Sequence, residues 1–241
     1  MYFCKKSIIM NLQALEKELQ NLSLEARLSH IASLYPADKI AFSSSFGQED
    51  QAITYAIAQA KLGFRIFTLD TGRQFQETYE LIDLTRSKYQ LNLETFFPNT
   101  QKVEQLVREK GNNSFYSSIE NRKECCFIRK IEPLNRALEG VQVWITGLRA
   151  EQSENRADMP MLEWDESRKI LKFNPIIDWT FQQLDNYLTI NKIPQNSLHK
   201  KGFISIGCAP CTRAITEGEH PRAGRWWWEQ SQKECGLHAS K

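Results

Sequence analysis

Two cysteine pairs set the tightest constraint on how this chain folds. Cys125 and Cys126 are adjacent, while Cys208 and Cys211 form a Cys-x-x-Cys pair far downstream, near the end of the 241-residue sequence. In a chain with six cysteines, pairings of this kind suit metal or redox chemistry better than a disulfide framework. Two thiolates from each place make a four-sulfur site, so the tail must return to the middle of the chain. Four thiolates suit Zn²⁺ or an iron–sulfur cluster. Structural zinc usually draws on two Cys-x₂₋₄-Cys knuckles, and an adjacent pair fits that spacing badly. The competing reading is a set of buried thiols or a vicinal disulfide. Cys235 is left over near the chain end, and Cys4 lies in residues 1–9, an extension if Met10 is the true start.

The frame around these cysteines alternates strand and helix. Leu12, Leu15, Leu19 and Leu22 recur at helical spacing and predict a helix over 11–22. A second helix starts after Ser23, a good N-cap, and ends before Pro36. Lys39–Phe42 reads as a strand that enters the polar loop Ser43–Asp50, with helical spacing from Ile53. Phe64–Leu69 is a strand ending in Asp70-Thr-Gly-Arg73, with a helix carrying Phe75, Tyr79 and Ile82. Leu91–Phe97 and Val141–Thr146 are further strands, 101–110 and about 180–191 further helices, and Ile170–Ile177 a last strand. Residues 150–169 and 194–206 read as long loops. The alternation predicts an α/β fold, a mostly parallel sheet flanked by helices, with ligands at the carboxyl ends of strands. Residues 1–37 read as an N-terminal helical extension and 38–241 as the main domain, with a tail from about 207 closing over the site.

Composition excludes several classes. A net charge of +2 leaves no global field for nucleic acid or a membrane surface. The apolar runs are strand-sized, too short for a membrane span or a signal peptide. The expected location is the cytoplasm.

Three strand ends carry ligand-binding candidates: Ser43, Ser44, Ser45 and Gly47; Asp70, Thr71, Gly72 and Arg73; Gly147 and Arg149. Small polar residues before a helix present backbone N–H groups to an anion, although serine-rich strand ends are common. The loop lacks a Walker ending and half of the Ser-Gly-Gly-x-Asp-Ser pyrophosphatase pattern. Asp70 suits a ribose hydroxyl or a helix cap. Arg222 and Arg225, with Arg73 and Arg149, have guanidinium forks that match phosphate and sulfate; a solvated basic surface is the plainer reading. Lys130 lies four residues after Cys126, with Pro133 set to shorten or kink that helix. Trp226-Trp-Trp228 reads as packing that docks the tail. Cys235, in Glu-Cys-Gly-Leu-His238, is placed for exposure, and the nearby arginines favour its thiolate. His238 suits an orienting or protonating role, or none.

On Ser43–Asp50, Leu69–Arg73, Cys125-Cys126 with Arg129-Lys130, Thr146–Arg149, Gly207–Arg213, His220–Glu229 and Glu234–His238, the sequence resembles the assimilatory sulfonucleotide reductases over about 38–238. The resemblance is to the bacterial adenylyl-sulfate (APS) reductases that carry a [4Fe–4S] cluster. It implies an adenine nucleotide α-hydrolase-like fold, Cys235 as nucleophile, and Cys125, Cys126, Cys208 and Cys211 as cluster ligands. It also implies Lys130, Arg222 and Arg225 around the substrate's phosphate and sulfate. The implied activity releases sulfite and AMP through an S-sulfocysteine, with thioredoxin or glutaredoxin as reductant, and the family is often oligomeric. Rivals are a 3′-phospho-APS (PAPS) or dual-substrate reductase, an ATP-dependent tRNA thiolase, and a non-catalytic redox sensor. Family members using PAPS typically lack the two cysteine pairs. The near-neutral charge argues against an RNA face.

Overall fold

A computed structural model describes residues 12–229, so Cys4, Cys235 and His238 lie outside the described residues. Residues 12–19 form helix α1. Then come α2 (Leu24–Leu34), β1 (Ile40–Ser43), α3 (Gln48–Gln59), β2 (Arg65–Leu69), α4 (Gln76–Tyr89), β3 (Leu93–Phe96) and α5 (Thr100–Lys110). They are followed by α6 (Ile119–Cys126), α7 (Glu132–Ala137), β4 (Val143–Ile145), β5 (Leu162–Asp165), β6 (Ile170–Phe173) and α8 (Phe181–Ile190). The six strands form one mostly parallel sheet in the order β3-β2-β1-β4-β6-β5. The chain divides into two compact units, and β2 is cut between them after Ile66.

The first unit takes residues up to Ser44, Gln48–Ile66 and Gly140–Ile193. Its strands β1, β4 and β6 run parallel, with Ile40 opposite Val143 and Val143 opposite Leu171. They are mostly apolar and buried, as suits a parallel sheet covered on both faces; Lys172 of β6 is the exception, buried and ion-paired with Glu163 at 3.1 Å. Ala52 of α3 packs with Leu184, Leu188 and Ile193. Thr180 and Gln183 make a capping box that starts α8. Ser23 caps α2 as its sequence predicts, its hydroxyl accepting from Ala26 N.

The second unit takes Ser45–Gly47, Phe67–Glu139 and the chain from Pro194. Asn99 caps α5 through Lys102 N, and Gly111 closes that helix. Phe67 and Phe96 meet edge to face, their ring centres 5.8 Å apart.

Four expectations need correction. Helix α3 begins at Gln48, not Ile53, because Glu49 and Asp50 suit a first helical turn, where carboxylates meet the positive end of the dipole. The loop expected over 150–169 holds two 3₁₀ turns and strand β5, which pairs antiparallel with β6. Leu162-Glu-Trp-Asp165 is too short to announce itself, and the hairpin is closed by Asp165, whose carboxylate accepts from Ser167 N and Arg168 N. Strand β6 stops at Phe173 instead of Ile177, since Pro175 offers no N–H to a ladder. The loop expected over 194–206 carries a 3₁₀ turn, Ser197–Lys201. Among the described residues, no helix is long and apolar enough to cross a membrane.

Arg27, 3% exposed, ties α1 and α2 to the rest of the first unit. It donates to the carbonyls of Leu19 (3.1 Å), Gln20 (2.8 Å) and Pro175 (2.7 Å) and forks onto Asp178. Arg27→Ala leaves these carbonyls without their donor, so the unfolding free energy in urea falls by about 2 kcal/mol.

Candidate functional site

All four described cysteines belong to the second unit, and none is in a disulfide. Cys125 and Cys126 end α6, which then loosens into a π-helical turn, Phe127–Ile131, before α7. Pro133, in the first turn of α7, explains the change. It has no N–H for the carbonyl four residues back, and its ring crowds that turn. The winding widens, and Glu132 N–H reaches Phe127 O instead. The expected kink is therefore a π turn, and it keeps Lys130 on the cysteine side. Cys208 and Cys211 flank a 3₁₀ turn, Ala209–Cys211, with Cys211 N–H donating to Cys208 O.

The two pairs line one cleft together with Arg73, Phe115, Arg122, Arg129, Lys130 and Pro210. Burial pushes the Cys125 thiol up, with the Arg129 cation opposing it. Cys211 is pushed up to about 12 by burial and then by Cys208 and Cys126, against the pull of Arg225. At these two sulfurs burial outweighs the neighbouring cations.

The loop after β2 stands beside these sulfurs. Thr71 Oγ1 lies 3.2 Å from Cys208 Sγ, and Ala209 N–H donates to Arg73 O. Arg129 donates through Nη1 to Thr71 O at 2.7 Å. Gly72, at φ 68°, takes a backbone shape that a side chain resists. Asp70 holds its own loop and does not cap α4, whose N-cap is Phe75: it accepts from Gly72 N (2.7 Å) and from Tyr79 Oη (3.0 Å). Arg73 is held by Asn112 O and stacks on Phe115 at 5.2 Å. Arg225 is buried, its Nη1 donating to Ile206 O, and its guanidinium fills the space where a side chain at Gly207 would be. Arg222 is half-buried, with its backbone N–H on His220 Nδ1. Trp226 is buried against Phe115 and Cys211, the docking role expected of the tryptophan run.

The remaining candidates lie in the first unit or in the loop 44–47, which precedes α3 with Phe46 in the left-handed region. Ser43 Oγ accepts from Trp144 Nε1 at 2.8 Å. Gly147 has no room for a side chain because the Asp50 carboxylate occupies that space. Arg149, expected to meet an anion, is ion-paired with Glu49 at 2.9 Å and Glu151 at 3.3 Å. Sequence reasoning passed over Arg122 and gave Arg129 no role. Their spacing from the pair, three before Cys125 and three after Cys126, was the signal that places them along one helical face.

The donor set is four thiols, which suit a thiolate-bound metal group. Among the described residues, no three acidic, histidine or cysteine side chains are gathered for a single metal, yet four thiols share one cleft. Arg129 Nε, Arg225 Nε and Trp228 Nε1 are buried N–H donors with no partner among the described residues. Such donors are costly unless an acceptor occupies the space they face.

Residues 39–214 match the family model described as phosphoadenosine phosphosulfate reductase domain. An adenosine 5'-phosphosulfate reductase of Agrobacterium fabrum is 46% identical over 228 residues, covering 94% of this chain and 87% of the relative. One from Burkholderia cepacia is 49% identical over 216 residues, covering 89% and 86%. A phosphoadenylyl-sulfate (PAPS) reductase from Candida auris, solved with phosphate, matches with a TM-score of 0.72 at 29% identity, over 84% of this chain and 95% of the other. Yeast FAD synthetase, at 15% identity and a TM-score of 0.55 over 83% and 67%, shares the fold, which is adenine nucleotide α-hydrolase-like.

In metal-free native protein at pH 8, alkylation of Cys211 by iodoacetamide is about a hundredfold slower than in urea-unfolded chain, because only the thiolate reacts. Its rate keeps climbing above pH 9, where an ordinary cysteine levels off; a plateau near pH 9 contradicts the raised pKa.

Proposed function

The chain belongs to the phosphoadenosine phosphosulfate reductase domain family, and from that premise we propose that it reduces adenylyl sulfate to sulfite and AMP. A dithiol protein, thioredoxin or glutaredoxin, is the reductant, which suits a cytoplasmic enzyme. The observation that carries the choice of adenylyl sulfate is the four-thiol cleft, supported by the name shared by the relatives.

Cys125, Cys126, Cys208 and Cys211 would hold a [4Fe–4S] cluster, and the buried N–H donors beside them suit its sulfur acceptors. When bound, that cluster supplies a structural and electrostatic centre. The electrons come from thiols. The Cys235 thiolate attacks the sulfur of the sulfate group, forming an S–S bond while the S–O bond to AMP breaks and AMP leaves with the electron pair. Lys130, Arg222 and Arg225 offset the charge on the departing phosphate. Nucleotide contacts are assigned to Ser43, Ser44, Gly147 and Arg149 of the first unit and to Ser45, Gly47, Asp70, Thr71, Gly72 and Arg73 of the second. Arg149 exchanges Glu49 for ligand oxygen, and His238 orients the tail. A reductant thiolate next attacks Cys235 Sγ, releasing sulfite and leaving a mixed disulfide. The reductant's second thiolate then attacks the partner sulfur, and Cys235 returns as a thiolate. Residues from about 207 onward thus belong with the reductase domain.

A PAPS or dual-substrate reading is favoured by one observation, the likeness to the Candida auris PAPS reductase. Both readings are tested by sulfite release from anaerobically purified protein supplied with thioredoxin and either nucleotide. The expected result is turnover of adenylyl sulfate that falls to background in Cys235→Ser. Equal rates with both nucleotides widen the substrate, whereas no sulfite from iron-loaded protein with Cys235 intact leaves a redox sensor as the better reading. Lys130→Ala lowers kcat/KM about a hundredfold with iron content unchanged; full turnover in that variant removes Lys130 from the charge-offsetting role.

A further inference from the structure

Glu229, the last described residue, is joined to the cysteine helix by a fork. Arg122 donates to its carboxylate through Nε and Nη2, each at 2.9 Å, and the two side chains are 6% and 4% exposed. Arg122 lies on α6, three residues before Cys125, and lines the same cleft. Its guanidinium also stands 4.7 Å from the Trp226 ring centre, with that of Arg225 at 4.9 Å. Trp226 is nearly inaccessible and adopts φ 41°, an unfavourable backbone for a bulky residue that persists only when its surroundings impose it.

Two backbone bonds extend this contact to the other cysteine pair. Trp226 N–H donates to Cys211 O at 3.1 Å, and Glu229 N–H donates to Trp226 O at 2.9 Å. A continuous path therefore runs from the Cys125–Cys126 helix through Arg122, Glu229 and Trp226 to Cys211, and every link is protein. We infer that the Arg122–Glu229 fork is a positioning clamp that holds the two cysteine pairs around one cleft before any metal binds.

A buried ion pair is weak evidence for stability, because desolvation offsets much of its attraction. What a bidentate fork supplies is direction: two parallel bonds fix the angle at which Glu229 meets α6. Apolar side chains of similar volume would fill the space without setting that angle. A site arranged beforehand binds its ligand without ordering two distant chain segments at that moment. The inference rests on the proposed cluster only for what the thiols hold; the gathering of the thiols is independent of it.

The test uses the full chain with Cys4→Ser and Cys235→Ser, stripped of metal and treated anaerobically with dibromobimane, which bridges two nearby thiols. Peptide mapping reads the ratio of bridges between the pairs to bridges within a pair. In both Glu229→Gln and Arg122→Lys the expected ratio falls about fivefold, with circular dichroism unchanged, and iron retained after anaerobic purification falls in parallel. Wild-type ratios in both variants overturn the clamp. If Glu229→Gln does not fold, Arg122→Lys decides alone, since it keeps the charge and loses the fork. The Arg122→Met/Glu229→Leu double variant separates positioning from packing: a folded protein with a low ratio supports the clamp, and a wild-type ratio overturns it. Wild-type protein that bridges between the pairs yet carries no iron sinks the cluster assignment and leaves the clamp standing.

Discussion

Gathering four sulfurs from two distant stretches into one cleft is the constraint to which the second unit is built. Thiols are easily buried as neutral groups, and burial here raises the pKa of Cys125 and Cys211. Ligation requires thiolates, so positive charge must stand close by. Arg73, Arg122, Arg129 and Lys130 line the cleft, and Arg225 acts on Cys211 from the neighbouring loop. The local irregularities follow from this crowding. Gly207 has no side chain because a guanidinium takes that space, and Trp226, with a left-handed backbone, has two guanidinium groups against its ring.

The strand-end residues of the first unit obey a different economy. Ser43, Gly147 and Arg149 are already engaged with Trp144, Asp50 and Glu49. Polar groups at a strand end must be satisfied whether or not a ligand is present, because an unmet buried donor or acceptor is costly. Protein partners hold such groups in place. Asp70, anchored by Gly72 N and Tyr79 Oη, follows the same rule within the second unit.

Much of the fold was legible because its signals are local. Helical leucine spacing, the Ser23 cap and the mostly apolar runs of β1, β2 and β4 are set by neighbours within a few residues. Strand β5 was missed because four residues carry too little periodicity, and its strand character comes from pairing with β6. The early start of α3 was missed because a polar run suits a loop and a first helical turn equally well. Pro133 announced a distortion near Lys130, whereas its form as a π turn depended on which carbonyl could still find a donor.

By itself, the sequence determined the strand–helix alternation, the chemistry of the two cysteine pairs and the short motifs that mark the family, because each is written in residue type and spacing. Only the tertiary structure decided that both pairs line one cleft, that Arg122 pairs with Glu229 across more than a hundred residues, and that Arg149 spends its charge on Glu49. Those partnerships are chosen by distance and burial after folding. A guanidinium in a sequence is equally suited to a carboxylate, an aromatic face or a ligand, and only the folded neighbourhood selects among them.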